Sequence, residues 1–140
     1  MRTLYDAGAD VPEPIEHGPH SMLMGYVGDR ETAAPILHDV RLDTGEAGPM
    51  FDQIMENVAT FLAYDLVHGD LSAYNILYWE GDFCVIDFPQ AVSPTENPNA
   101  FEFLVRDVER VCQYFKKSGV QSSHFEIAED LWSRYLRRQL

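Results

Sequence analysis

The sequence predicts an α+β fold, and three observations carry that prediction. Two long stretches, from Pro49 to Leu62 and from about 99 to 117, repeat apolar residues every three or four positions, the mark of amphipathic helices. Between them, NILYW and FCVIDF flank Glu80-Gly81-Asp82, a β-hairpin signature. A third helical pattern begins at Ser123. At 140 residues and 46% hydrophobic, the chain is one domain or a large piece of one, long enough to bury a real core.

The elements follow in order. VPEPIEHGPHSMLMGYV reads as two short strands around a turn at His17-Gly18-Pro19, with Pro12 and Pro14 confining the first to an edge. Residues 28–49 form a connector with a short helix near 34–40. The first long helix aligns Phe51, Ile54, Met55, Val58, Phe61 and Leu62 on one face, with Pro49 near its first turn. After the hairpin, SPTENPN is a loop. The second helix turns Phe101, Leu104, Val105, Val108, Cys112 and Phe115 inward and stops near Gly119. In the third, Ser123 and Glu126 have capping-box spacing, and Ile127, Leu131 and Tyr135 face the core.

Charge is distributed unevenly. Residues 1–100 hold 17 acidic against 3 basic residues, and the last forty hold 6 against 7, within a net charge of −13. Such a chain repels nucleic acid as a whole, and no direct nucleic-acid binding is expected. The Arg134, Arg137, Arg138 stripe is better read as cations at a helix C-terminus. No apolar run approaches the roughly 18 residues of a membrane span, and no signal peptide is visible, so a cytoplasmic protein is expected. Cys84 and Cys112 read as reduced, buried thiols. His17, His20, His38 and His124 lack zinc-ligand spacing. Trp79 and Trp132 read as packing residues.

Chemistry concentrates in HGDLSAYNILYWEGDFCVIDFPQ, residues 68–90. Phosphoryl transfer from a nucleotide needs a carboxylate to take or orient the acceptor's proton, and hard oxygen donors for Mg²⁺. Asp70 and Asn75 have the spacing of a kinase catalytic loop, base first and amide oxygen last. Asp87 follows across the hairpin, where the turn at Gly81 brings it back beside Asn75. Singly, each of the three is most simply a turn former or a backbone cap. Together, at this spacing, they predict a phosphotransferase site.

HGDLSAYNILYWEGDFCVIDFPQAV resembles the catalytic and metal loops of the RIO family of atypical protein kinases. Ser72 after HGDL, the IDFPQAV ending and FLVRDVERVCQYFKKSG carry the likeness, and AGADVPEP, MLMGYVGD and AAPILHDV add a looser match upstream. The resemblance covers most of residues 4–119. It implies a protein-kinase-like C-terminal lobe over residues 28–140, helical with a catalytic-loop β-hairpin, plus hinge strands left from the N-terminal lobe over 1–27. By the same resemblance Asp70 is the catalytic aspartate, and Asn75 and Asp87 bind the metal. Met24, Gly25, Tyr26 and Val27 contact the nucleotide through backbone groups, with Leu77 and Ile86 as its apolar floor. His68, Ser72 and Asp107 support the loop. Asp107 is expected to point inward and accept amides of residues 68–72, a surface pairing with Arg110 being the alternative. Ser72 either bonds Asp70 or the phosphate, or holds the loop.

The implied cofactors are ATP and Mg²⁺, with Mn²⁺ an alternative. The implied activity is serine/threonine protein phosphorylation, or mainly ATP hydrolysis, on a protein substrate such as a ribosomal small-subunit precursor. Gly69 stands where typical protein kinases carry arginine, which removes a reader of activation-loop phosphate. The only lysines are Lys116 and Lys117, and no G-x-G-x-x-G precedes the metal site. Nearly all of the phosphate-covering lobe is therefore expected to be absent, and weak nucleotide binding with slow or no turnover to follow, unless a separately encoded lobe complements the chain. Two rival readings stay open: a small-molecule phosphotransferase of the aminoglycoside or choline kinase type, which shares HGDL, N-I-L and IDF, and a non-catalytic binding module or pseudokinase fragment.

Overall fold

Three helices carry the core, and a short hairpin lies against them. The computed structural model describes residues 2–11, 14–16, 22–24 and 35–140. In chain order these form α1 (Arg2–Asp6), β1 (Pro14–Glu16), β2 (Met22–Met24), a 3₁₀ turn (Leu37–Asp39), α2 (Thr44–Ala63), a 3₁₀ turn (Ala73–Asn75), β3 (Ile76–Trp79), β4 (Asp82–Val85), α3 (Ala100–Lys116) and α4 (His124–Leu136). Both sheets are two-stranded and antiparallel, β1 with β2 and β3 with β4. The fold is α+β.

The helix α2 begins five residues before Pro49. Asp43 caps it: its carboxylate accepts from the Glu46 amide at 2.8 Å, and the Glu46 side chain accepts from the Asp43 amide at 3.4 Å. Asp-x-x-Glu therefore sets the start. Pro49 sits in the second turn, where it has no amide to donate to the Gly45 carbonyl. The buried face runs Ala47, Met50, Phe51, Ile54, Asn57, Val58, Phe61 and Leu62. In α3 the buried face is Ala100, Leu104, Asp107, Val108, Val111, Cys112 and Phe115. Phe101 and Val105 are only half-buried; Phe101 instead packs its ring against Phe125 and Trp132 of α4. Each large apolar side chain removed from water here contributes roughly 1.5–3 kcal/mol.

The helix α4 packs on α3 and α2 through Ala128 and Leu131, while Ile127 and Tyr135 are half-buried. The expected Ser123–Glu126 capping box does not form: Ser123 occupies the cap with extended backbone, and its hydroxyl bonds no backbone amide. His124 Nε2 lies 3.2 Å from Glu109 Oε2, which ties the start of α4 to α3.

Trp79 pairs with Asp82, so the hairpin turn is the two residues Glu80 and Gly81, and Asp82 belongs to β4. Both turn residues have positive φ, 48° and 87°, which matches the twist of the strands they join. The hairpin is fastened on two sides. Tyr78 donates its hydroxyl to Glu46 at 3.0 Å, and the Val85 amide donates to the Asp10 carbonyl at 2.7 Å. Asp10 is held in turn by Asn57, which accepts the Asp10 amide at 2.6 Å and donates to its carboxylate at 2.9 Å. Both cysteines are free and buried. Burial, with Asp10 nearby, pushes the Cys84 thiol up to about 12, so it stays protonated and inert.

The cap residues of α2 and α4 differ in what they bond, and that difference is measurable. Asp43→Ala should cost about 0.5–2 kcal/mol by urea denaturation, while Ser123→Ala should stay within about 0.5 kcal/mol of the parent. Equal losses at both positions would contradict the cap assignment.

Candidate active site

The loop before the hairpin is held from below by α3. Asp107, 1% exposed, accepts the Gly69 amide at 2.8 Å on one oxygen and the Leu71 amide at 3.0 Å on the other. Surface pairing with Arg110 is excluded by this position. Burial pushes the Asp107 carboxyl upward, against the pull of the two amides, His68 and Arg106. Arg106 donates to the Gly69 carbonyl at 2.8 Å, so both polar ends of the peptide units around Gly69 are bonded by one helical turn.

Gly69 has φ +87°, and a Cβ there would overlap the Gln90 carbonyl. Glycine is required at this position because two backbone segments touch, which accounts physically for the missing arginine. The contact also links the 68–71 loop to the segment after β4. Val67 and Val92 exchange two backbone hydrogen bonds of 2.9 Å. The His68 ring lies with Nε2 2.8 Å from the Ile86 carbonyl and Nδ1 accepting the Asp70 amide at 3.2 Å. That pair of bonds fixes the Nε2–H tautomer. Phe88 seals the junction, its ring 4.6 Å from His68 and 5.5 Å from Phe61.

The three polar residues stand on this clasp. Asp70 is half-exposed, and its Oδ1 lies 3.1 Å from Arg110 Nη1. Asn75 is buried and donates its amide to the Asp70 carbonyl, with Asp70 Oδ2 at 3.4 Å. Its side-chain nitrogen thus faces the loop, leaving Oδ1 as the oxygen available to a ligand. The Ile86 amide donates to the Asn75 carbonyl at 2.9 Å, so Asp87 follows directly from a residue bonded to Asn75. Asp87 is exposed and holds φ at +61°. For a non-glycine residue that conformation costs on the order of 1 kcal/mol, a kind of strain found at functional sites.

Ser72 accepts the Tyr74 amide on Oγ at 3.2 Å and so caps the 3₁₀ turn; it holds the loop. Leu77 and Ile86 are half-buried, Leu77 bridging to Ile36. Met24 ends β2, paired with Pro14. Gly25, Tyr26 and Val27 lie outside the described residues, as does the turn at 17–19.

Asn75 and Asp87 offer two oxygen donors on adjoining backbone. Among the described residues no three His, Cys, Asp or Glu side chains gather around a common point. The donor set suits Mg²⁺, which keeps several waters and shares substrate phosphates instead of filling a protein cage.

A family profile described as the RIO domain matches residues 1–128. The chain belongs to the RIO family. Among RIO proteins, it is 34% identical over 129 residues to the RIO-type serine/threonine-protein kinase Rio1 of Thermoplasma acidophilum, covering 92% of this chain and 66% of that one. It is 38% identical over 129 residues to the RIO-type kinase Rio2 of Methanocaldococcus jannaschii, covering 91% and 47%. The fold matches a Rio2 kinase–ADP/Mg²⁺–phosphoaspartate complex from Chaetomium thermophilum with a TM-score of 0.71 at 26% identity, covering 91% of this chain and 41% of that one. The chain therefore spans between about half and two thirds of the curated RIO relatives named here. Its fold is that of a RIO kinase segment, and the curated relatives named here are serine/threonine-protein kinases.

Two contacts were not legible in the motif: Arg110 against Asp70, and Gln90 against Gly69. The first had a signal. Asp107 and Arg110 are three residues apart on one helix face, so an Asp107 that meets the loop brings Arg110 to it as well.

Asp107→Asn places an amide donor against a backbone donor and should cost about 1–3 kcal/mol in chemical denaturation. Gly69→Ala should cost at least about 2 kcal/mol, through positive φ and the Gln90 overlap together. An unchanged melting temperature in either variant would contradict the clasp.

Proposed function

We propose that this RIO chain supplies the catalytic and metal-binding residues for transfer of the ATP γ-phosphoryl group to a protein serine or threonine. The observation that carries the proposal is the Ile86–Asn75 backbone hydrogen bond, which ties the segment just before β3 to the one just after β4, with Asp87 next to the bonded residue. Asp70 is the carboxylate that orients the acceptor hydroxyl and takes its proton. Its loop is fixed by Asp107 and by the Asn75 side chain, so it reaches the acceptor without a cost of ordering. Asn75 Oδ1 and the Asp87 carboxylate hold Mg²⁺. When bound, that ion neutralises charge on the nucleotide phosphates.

The names of the relatives support the acceptor class, and the ADP/Mg²⁺ in the Rio2 complex supports the cofactors. The nucleotide base is assigned to the Met24–Val27 backbone, with Leu77 and Ile86 beneath it, on the family resemblance. A ribosomal small-subunit precursor as the acceptor, and a cytoplasmic location, rest on the sequence reading alone.

Binding of a fluorescent ADP analogue to the chain tests the assignment. Chelating Mg²⁺, or Asp87→Ala, should weaken binding about tenfold or more, and Asp70→Ala should leave it nearly unchanged while removing any transfer to protein. Binding indifferent to both Mg²⁺ and Asp87 would overturn it.

A further inference from the structure

A cavity of about 530 Å³ opens beside Asp70, between the 72–75 turn and the outward face of α3. Its charged lining is Arg110 and Lys117 against Asp70, which leaves one net positive charge. One wall is the His38–Tyr74 pair, stacked at 4.1 Å between ring centroids and joined by a 2.9 Å hydrogen bond between His38 Nε2 and the Tyr74 hydroxyl. A second cavity of about 800 Å³ shares His38, Tyr114 and Lys117 and continues along residues 39–44, where Asp39, Asp43 and Arg41 join the lining. Tyr114 fixes that side by donating its hydroxyl to the Val40 carbonyl at 2.7 Å. The shared residues set the two cavities side by side, a trough leading away from Asp70 with room for several residues of an extended chain.

Charge selects the occupant. The chain carries −13 overall, so its long-range field repels acidic partners, and any preference for them must come from local contacts. The Arg110–Asp70 pair is 38% and 51% exposed at its two side chains; an ion pair so open to water is worth at most about 1 kcal/mol and is readily exchanged. A peptide carboxylate entering the trough offers Arg110 a second partner, with Lys117 alongside. The excess positive charge lies only at the Asp70 end, since Asp39 and Asp43 outweigh Arg41 farther along, so an acidic residue is favoured beside the acceptor hydroxyl and not farther down the trough.

We propose that this trough receives the phosphoacceptor segment and favours an acidic residue close to the acceptor hydroxyl. Arg110 and Lys117 bind the carboxylate, and Arg110, drawn from Asp70 Oδ1, leaves that oxygen free to meet the hydroxyl. This inference rests on Asp70 as the catalytic carboxylate.

The test is fluorescence anisotropy of two labelled serine peptides, one flanked by glutamates and one by glutamines, with the full chain at fixed salt. The glutamate peptide should bind about tenfold tighter, the scale of one charge-assisted contact. Arg110→Gln and Lys117→Gln should each cut that ratio at least about threefold, and the double variant should bring it near one. Lys116→Gln makes the same charge change on a residue that faces a different cavity and should leave the ratio intact. Equal binding of the two peptides by the parent chain overturns the inference, as does an equal effect of Lys116→Gln. Mg–ADP binding measured on the same parent sample separates the two claims. Acid preference without Mg–ADP binding would sink the phosphoryl-transfer reading and keep the trough as an acidic-peptide site.

Discussion

A buried carboxylate that must find hydrogen-bond donors organises this molecule. Asp107 is carried into the interior by the same helical face that buries Leu104, Val108 and Val111, and an ionised group there is costly unless it is paired. The donors it meets are the amides of Gly69 and Leu71, which flank Asp70 on both sides. Packing of α3 thereby dictates the backbone of the loop, and the loop dictates where Asp70 stands. Arg106 supplies the opposite charge and satisfies the Gly69 carbonyl in the same turn of helix. The core and the site are one construction.

The other two polar residues depend on that loop. Asn75 donates its side chain to the Asp70 carbonyl, and Asp87 follows a residue bonded to the Asn75 carbonyl. His68 and Phe88 fill the space between the loop and the segment after the hairpin. The positive φ at Asp87 is tolerated because neighbouring residues on both sides are pinned. Rigid support of this kind is what a RIO kinase site requires, since phosphoryl transfer is mostly positioning and electrostatics.

Much of this was legible in the sequence because it is periodic or local. The helical faces, the hairpin around Gly81 and the Asp70, Asn75, Asp87 spacing all follow from short-range pattern, and the RIO resemblance rests on the motifs around them, Ser72 after HGDL, the IDFPQAV ending and FLVRDVERVCQYFKKSG. What the pattern missed was mostly tertiary. Pro49 looked like a helix start, but the Asp43–Glu46 capping box lies upstream of it, in a stretch whose glycines resembled a connector. Ser123 has the right spacing to Glu126 and makes no cap bond, since spacing permits a capping box without compelling it. Arg110 meets Asp70 across forty residues of sequence, a contact visible only once Asp107 is known to face the loop. Asn57 offered no signal as the clamp on Asp10, because a lone polar residue on an apolar face looks like an exception until its partner is placed.

Amide hydrogen exchange at Gly69 and Leu71, read by NMR, examines the Asp107 anchor most directly. If Asp107 holds the loop, both amides should exchange only through global unfolding, with protection equal to that of the buried α3 amides around Val108. Exchange at the rate of an open surface loop, with α3 still protected, would show that the helix does not position Asp70.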